Sequence, residues 1–184
     1  GQTAGMNFNK VVVFFEFVPG LGGDGSTYYY DNIEVVAPAP DPVALPVDFE
    51  STTANYNVVG FGGVDVAVEA NPDASGINTS NTVVRSTKTA GAEFWAGAEM
   101  SLDATIDFST SEKISINTWS PKANIPVRLK LENASGDFLE LDVNTTVANQ
   151  WETLTWNFTG QTAGMNFNKV VVFFEFVPGL GGDG

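Results

Sequence analysis

Residues 1–25 and residues 160–184 are the same sequence, GQTAGMNFNKVVVFFEFVPGLGGDG. Two unrelated segments do not share 25 identical residues. The copies begin at Gly1 and Gly160, an offset of 159 residues, which is about the size of one domain. The simplest reading is a window cut from an array of near-identical repeats, beginning and ending partway through a unit. Both copies then want the same place in the fold, and one sandwich cannot house both.

The repeat fixes where the chain divides. Residues 1–36 read as the C-terminal part of a preceding repeat. Residues 37–46, APAPDPVALP, hold four of the nine prolines. Such a stretch resists helix and sheet and favours a semi-rigid extended linker. Residues 47–184 read as the next repeat without its last strand, because nothing in them corresponds to STYYYDNIEVV, residues 26–36. The missing strand comes either from a following covalent unit or from another chain, as in donor-strand filaments.

Composition removes several function classes. The net charge is −14, from 22 acidic and 8 basic residues, with no histidine. A surface this acidic argues against nucleic-acid partners, which are met by basic patches. It also disfavours anionic membranes. No run of 18 or more apolar residues occurs, so membrane insertion by a spanning helix is not expected. There is no cysteine, hence no disulfide framework. Without His or Cys the commonest general bases and nucleophiles are gone, and no carboxylate pair is singled out by a motif. The chain therefore reads as non-catalytic.

Short runs rich in Val, Ile, Thr, Phe, Tyr and Trp alternate with Gly, Asn, Asp and Pro clusters, which is a strand-and-turn pattern. The pattern predicts strands near 9–18, 27–36, 47–52, 64–70, 82–89, 92–100, 104–109, 113–119, 125–132, 138–143, 151–158 and 168–177. The expected class is all-β, an antiparallel β-sandwich of jelly-roll type. The best-defined piece is a hairpin. VRLKLE (127–132) and FLELDV (138–143) alternate across an NASGD loop. Keeping their apolar faces together puts Lys130 opposite Glu140 and Arg128 opposite Asp142. KVVVFFEFV, at 10–18 and again at 169–177, is apolar on both faces except for its Glu. That suits a central strand or one covered by a neighbouring unit.

The stretches LPVDFES (45–51), NPDASGINTS (71–80), IDFSTSEKISINTWSPKANIPVRLKLEN (106–133), TTVANQWETLTWNFTG (145–160) and GDGSTYYYDNIEV (23–35) resemble jelly-roll modules similar to carbohydrate-binding modules. Such modules accompany secreted glycoside hydrolases and surface proteins, especially in marine Bacteroidetes. The resemblance implies a secreted, non-catalytic domain, often with one structural calcium. It implies that a carboxylate near the first strand, Glu50 with Asp48, and an aspartate in the last strand, Asp31, share Ca²⁺. The pleat places Asp31 with Tyr29, Ile33 and Val35 on one face, where a buried carboxylate needs a cation or donors. Asp48 and Glu50 alternate away from Phe49, onto a face that solvent could equally fill.

A second candidate is a glycan platform. Trp119 alternates with Ser115 and Asn117, and Trp95 with Glu93 and Glu99, so both point to polar faces. Arg128 and Lys130 are candidate polar partners, although ordinary solvent-facing cross-strand ion pairing accounts for them more readily. Trp156 shares a face with Leu154 and Phe158 and reads as core, while Trp151 fits either role.

These readings converge on an extracellular, cell-surface repeat module of an adhesin or filament. It would act as a rigid calcium-stabilised spacer whose partners are neighbouring repeats and extracellular polysaccharide. The alternative is a glycan-binding module using its exposed Trp residues. A spacer leaves no open aromatic platform, whereas a binding module exposes one.

Overall fold

A computed structural model describes residues 7–20 and 22–182. The chain divides into two compact units, Gly1–Pro38 and Ala39–Gly184. All regular structure among the described residues lies in the second unit. It comprises nine strands: β1 (Val59–Phe61), β2 (Val64–Ala70), β3 (Thr82–Lys88), β4 (Gly97–Ser101), β5 (Lys113–Ser120), β6 (Pro126–Glu132), β7 (Phe138–Asn144), β8 (Gln150–Asn157) and β9 (Lys169–Phe174).

The architecture is an all-β antiparallel sandwich. One layer is a five-stranded sheet in the order β1-β4-β9-β6-β7. The facing layer consists of two separate pairs, β2-β3 and β5-β8. The core forms where β8 covers β6: Leu154 and Trp156 pack with Val127, Leu129, Leu131, Phe158 and Phe167. Trp156 is fully buried, and its Nε1 donates to the Val127 carbonyl at 3.2 Å. That bond satisfies the one polar atom such a core would otherwise strand.

The β6-β7 hairpin has the register expected from its alternation, with Arg128 opposite Asp142 and Lys130 opposite Glu140. KVVVFF at 169–174 is a central strand, flanked by β4 and β6. Its outward residues Val171 and Phe173 are buried, covered by neighbours such as Phe61 and Phe176, whose rings meet Phe173 edge-on.

Four expected strands are absent. Residues 47–52 turn instead of extending: the Asp48 carboxylate accepts from Glu50 N at 3.1 Å, and Phe49 has a positive φ of 61°. This is Asx-type turn chemistry overriding strand composition. Residues 104–109 tie in through single bonds such as Ile106 N to the Phe167 carbonyl at 2.8 Å, without a ladder. Residues 9–18 and 27–36 form no strand, and every described side chain in them is exposed. The inward alternation expected for Asp31 therefore does not arise, and its carboxylate accepts from Asn32 N at 2.7 Å. In the Pro-rich stretch Val43 is buried and exchanges hydrogen bonds with Asp103, so the sandwich grips that stretch before residue 47.

Candidate functional site

The outward face of β5-β8 follows from the strand period. Ile114, Ile116 and Thr118 point inward, so Lys113, Ser115, Asn117 and Trp119 point out. The register pairs Ser115 with Thr155, Asn117 with Thr153, and Trp119 with Trp151. The result is a ladder of hydroxyls and an amide ending in two indoles on one rung. Thr153 Oγ1 lies 2.9 Å from Asn117 Oδ1 and donates to it. Trp151 is fixed because its Nε1 donates to the Asp73 carbonyl at 2.7 Å. Trp119 keeps 38% of its surface exposed beside it.

Beyond this rung the chain carries an immobilised carboxylate, Glu152. Burial alone would raise Glu152, yet the Thr146 hydroxyl and the Thr146 and Val147 amides outweigh it and hold the carboxyl below its ordinary value. That contact pins the loop after β7 to the start of β8.

The other sequence candidates lie elsewhere. Trp95 is 43% exposed but stacks on Phe61, with centroids 6.3 Å apart, at the β1 side of the other sheet. Arg128 and Lys130 are on the outer surface of the five-stranded sheet, across the sandwich from Trp119. Arg128 makes a two-pronged pair with Asp142 at 2.7 and 2.8 Å, reaches Glu140 at 2.8 Å, and sits 3.8 Å over the Phe176 ring. Lys130 pairs with Glu132 at 2.5 Å and lies 4.5 Å over Phe138. Both cations are thus committed to neighbours. Trp119 stands with Trp151 rather than with Trp95, Arg128 or Lys130. The Trp119–Trp151 rung was not visible in the sequence because it depends on the register of strands 30 residues apart in the chain, Ser120 to Gln150.

Glu50 is held by neutral donors: Asn81 Nδ2 at 2.7 Å, Thr82 N at 2.8 Å and Thr82 Oγ1 at 3.0 Å. The Asn81 amide first, then the Thr82 amide, keep its carboxyl below the usual range. Among the described residues no group of three or more His, Cys, Asp or Glu side chains is placed to hold a metal. Asp48 and Glu50 by themselves do not make a calcium site. No described helix is long and apolar enough to cross a membrane.

No family model matches the sequence, and no curated protein matches it. Among solved structures, one described as TmCBM61 in complex with β-1,4-galactotriose is similar, at 17% identity and a TM-score of 0.27. The match covers 69% of this chain and 79% of that one.

Proposed function

We propose that the sandwich is a non-catalytic, extracellular polysaccharide-binding module that uses the outward face of β5-β8. The observation that carries this reading is the exposed Trp119 beside the anchored Trp151, continuous with the Asn117–Thr153 and Ser115–Thr155 pairs. An indole offers a flat apolar surface for the C–H face of a sugar ring, and hydroxyls and amides bond its equatorial hydroxyls. The acidic surface favours neutral over anionic chains. Calorimetric titration of neutral polysaccharides tests it. Trp119→Ala should weaken binding at least about tenfold, a cost of about 1.4 kcal/mol, whereas Arg128→Ala should not. A Trp119→Ala variant that binds as the parent does, or a parent that binds none of them, would sink the reading.

The 25-residue identity of the two ends supports a second, compatible reading, a repeat of a surface adhesin or filament with neighbouring repeats as partners. Calcium belongs to this reading through Asp31, with Asp48 and Glu50 supplied by an adjacent unit. Differential scanning calorimetry with calcium and then with excess chelator checks it. A chelator-reversible rise in the melting temperature is expected, and a melting temperature indifferent to calcium argues against the ion.

A further inference from the structure

Asp41–Pro42 is the one Asp–Pro bond in the chain. Such a bond is open to attack from within. The Asp side-chain carboxylate can close a five-membered ring on its own backbone carbonyl carbon, an attack that needs no encounter. Proline supplies the leaving group: its tertiary amide nitrogen becomes a secondary amine, which takes up a proton readily and departs. In an unfolded chain the bond breaks slowly in acid. The fold surrounds this one with further groups.

Both sides of the bond are held, and by different elements. On the aspartate side, Ser51 Oγ donates to Asp41 Oδ2 at 2.7 Å. The same hydroxyl accepts from Thr53 N at 3.1 Å and Ala54 N at 3.0 Å, so its proton is directed at the carboxylate. Asp41 N donates to Thr53 Oγ1 at 3.3 Å, and the Tyr56 hydroxyl accepts from Ser51 N at 2.9 Å. Ser51 first, then Thr53, keep the Asp41 carboxyl below its ordinary value. The nucleophile therefore stays ionised further into acid than a free aspartate would.

On the proline side, Val43 is buried. Its N–H donates to Asp103 Oδ2 at 2.7 Å, and its carbonyl accepts from Asp103 N at 2.8 Å. This puts a second carboxyl beside the residue that follows Pro42, on the side of the leaving nitrogen. Asp41, Pro42 and Asp103 line one cavity of about 480 Å³, with Asn55, Asn57 and Ser101 in its wall. Among the described residues, Asp41 and Asp103 are the titratable groups of that lining. The cavity is polar and roomy enough for water.

We propose that Asp41–Pro42 is a self-cleavage site, with Asp41 as nucleophile, Asp103 as proton donor and Ser51 as the residue that positions Asp41. An Asp41 carboxylate oxygen bonds to the Asp41 carbonyl carbon. The bond from that carbon to the Pro42 nitrogen breaks, and the nitrogen takes the proton of the Asp103 carboxyl. The cyclic anhydride left on Asp41 adds one water and opens to a C-terminal aspartic acid, which returns a proton to Asp103. Nothing is oxidised or reduced. Acid is the trigger, because Asp103 must carry a proton while Asp41 does not. The products are residues 1–41 and 42–184. The step turns over once, so the module remains non-catalytic towards other molecules. This inference does not depend on the glycan reading.

The test follows the intact chain by mass spectrometry from neutral pH down to about pH 4, near the ordinary aspartate value. Each sample is compared with the same chain unfolded in urea at the same pH, and tryptophan fluorescence reports which state is present. The folded chain should split into residues 1–41 and 42–184 at least about tenfold faster than the unfolded one, the modest end of what a positioned acid contributes. The rate should not change with protein concentration. Asp41→Asn should abolish cleavage. Asp103→Asn, whose amide oxygen can still accept from Val43 N, should bring the folded rate down to the unfolded one. Ser51→Ala should move the acid-side fall of the rate to higher pH, a displacement that lost packing alone would not give. An unfolded chain that cleaves as fast as the folded one would show only the lability of a bare Asp–Pro bond and overturn the site. So would a folded chain that stays intact, or a rate that rises with concentration and so marks another molecule as the agent. An Asp103→Asn chain as fast as the parent would overturn the part given to Asp103.

Discussion

The two copies of the 25-residue segment put one sequence in two environments. At 169–174 KVVVFF is the central strand of a five-stranded sheet, with Phe173 7% exposed. At 10–15 the same letters form no strand, and Phe14 is 68% exposed. The turn that follows is nevertheless the same in both. Glu16 and Glu175 both have positive φ, 49° and 50°, and Val18 N and Val177 N donate to their carbonyls at 2.7 and 2.8 Å. Gly20 and Gly179 repeat as well, with φ of 85° and 87°. Turn geometry is therefore written in the local sequence. Strand formation is not, because a strand's hydrogen bonds close only on a neighbour. β9 has β4 and β6, and residues 10–15 have no such partners among the described residues of their unit.

The largest expected effect breaks this comparison directly. Phe173→Ala removes a ring packed edge-on against Phe61 and Phe176 and should cost about 3–5 kcal/mol in urea unfolding. Phe14→Ala, the same substitution one repeat earlier, should change sandwich stability by no more than about 0.5 kcal/mol. All four tryptophans, Trp95, Trp119, Trp151 and Trp156, lie in the second unit, so indole fluorescence reports on the sandwich alone. Equal losses at the two positions would mean that residues 10–15 are also packed in solution.

The next effect tests the chain's exit from β9. A Cβ on Gly182 would come within 2.1 Å of the Thr89 carbonyl oxygen, whereas one on Gly23 would meet nothing within 4 Å. Gly182→Ala should therefore destabilise by about 1–3 kcal/mol, as overpacking against backbone does. Gly23→Ala should be silent. If Gly182→Ala were silent too, the segment that follows β9 would not be held against the Thr89–Ala92 turn.

The same contrast explains how far the sequence could be read. The β6-β7 hairpin was legible in its alternation because five loop residues, Asn133–Asp137, join the strands and set the register. β9 was legible as central because it is apolar on both faces. β1 was not expected, since GFGG looks like a turn. Its Gly60 is needed because a Cβ there would come within 2.2 Å of the Val64 carbonyl oxygen. Residues 47–52 looked like a strand by composition, but the Asp48 side chain caps its own backbone first. Trp119 was recognisable as outward-facing from Ser115 and Asn117. Its partner Trp151 was not, because cross-strand neighbours distant in sequence are set by the whole sheet rather than by a local pattern.

A smaller effect separates the two glutamates of the repeated turn. Glu175 pairs with Lys122 at 2.7 Å, while Glu16 accepts from the Tyr28 hydroxyl. Lys122 is 41% exposed, so solvent screens the pair. Glu175→Gln should cost less than about 1 kcal/mol, and Glu16→Gln nothing measurable by indole fluorescence. A loss well above that at Glu175 would mean that the ion pair also holds the left-handed turn in place.

The smallest effect is acid sensitivity. Glu50 is lowered by Asn81 and Thr82, and Asp41 by the Ser51 and Thr53 hydroxyls. A carboxylate whose folded value lies below its unfolded one stabilises the fold above the unfolded value. That contribution is lost as the pH falls through the folded value. Stability read from tryptophan fluorescence should be flat from neutral pH down to about the ordinary Glu value of 4.5, then decline. Glu50→Gln should make that decline shallower, because the amide carries no charge to lose. Its amide oxygen can still accept from Thr82 N, so stability at neutral pH should fall only slightly. A Glu50→Gln profile parallel to the parent's at every pH would show that the Asn81–Thr82 cradle does not favour the ionised form, and that the acid transition belongs to other carboxylates, such as Glu152.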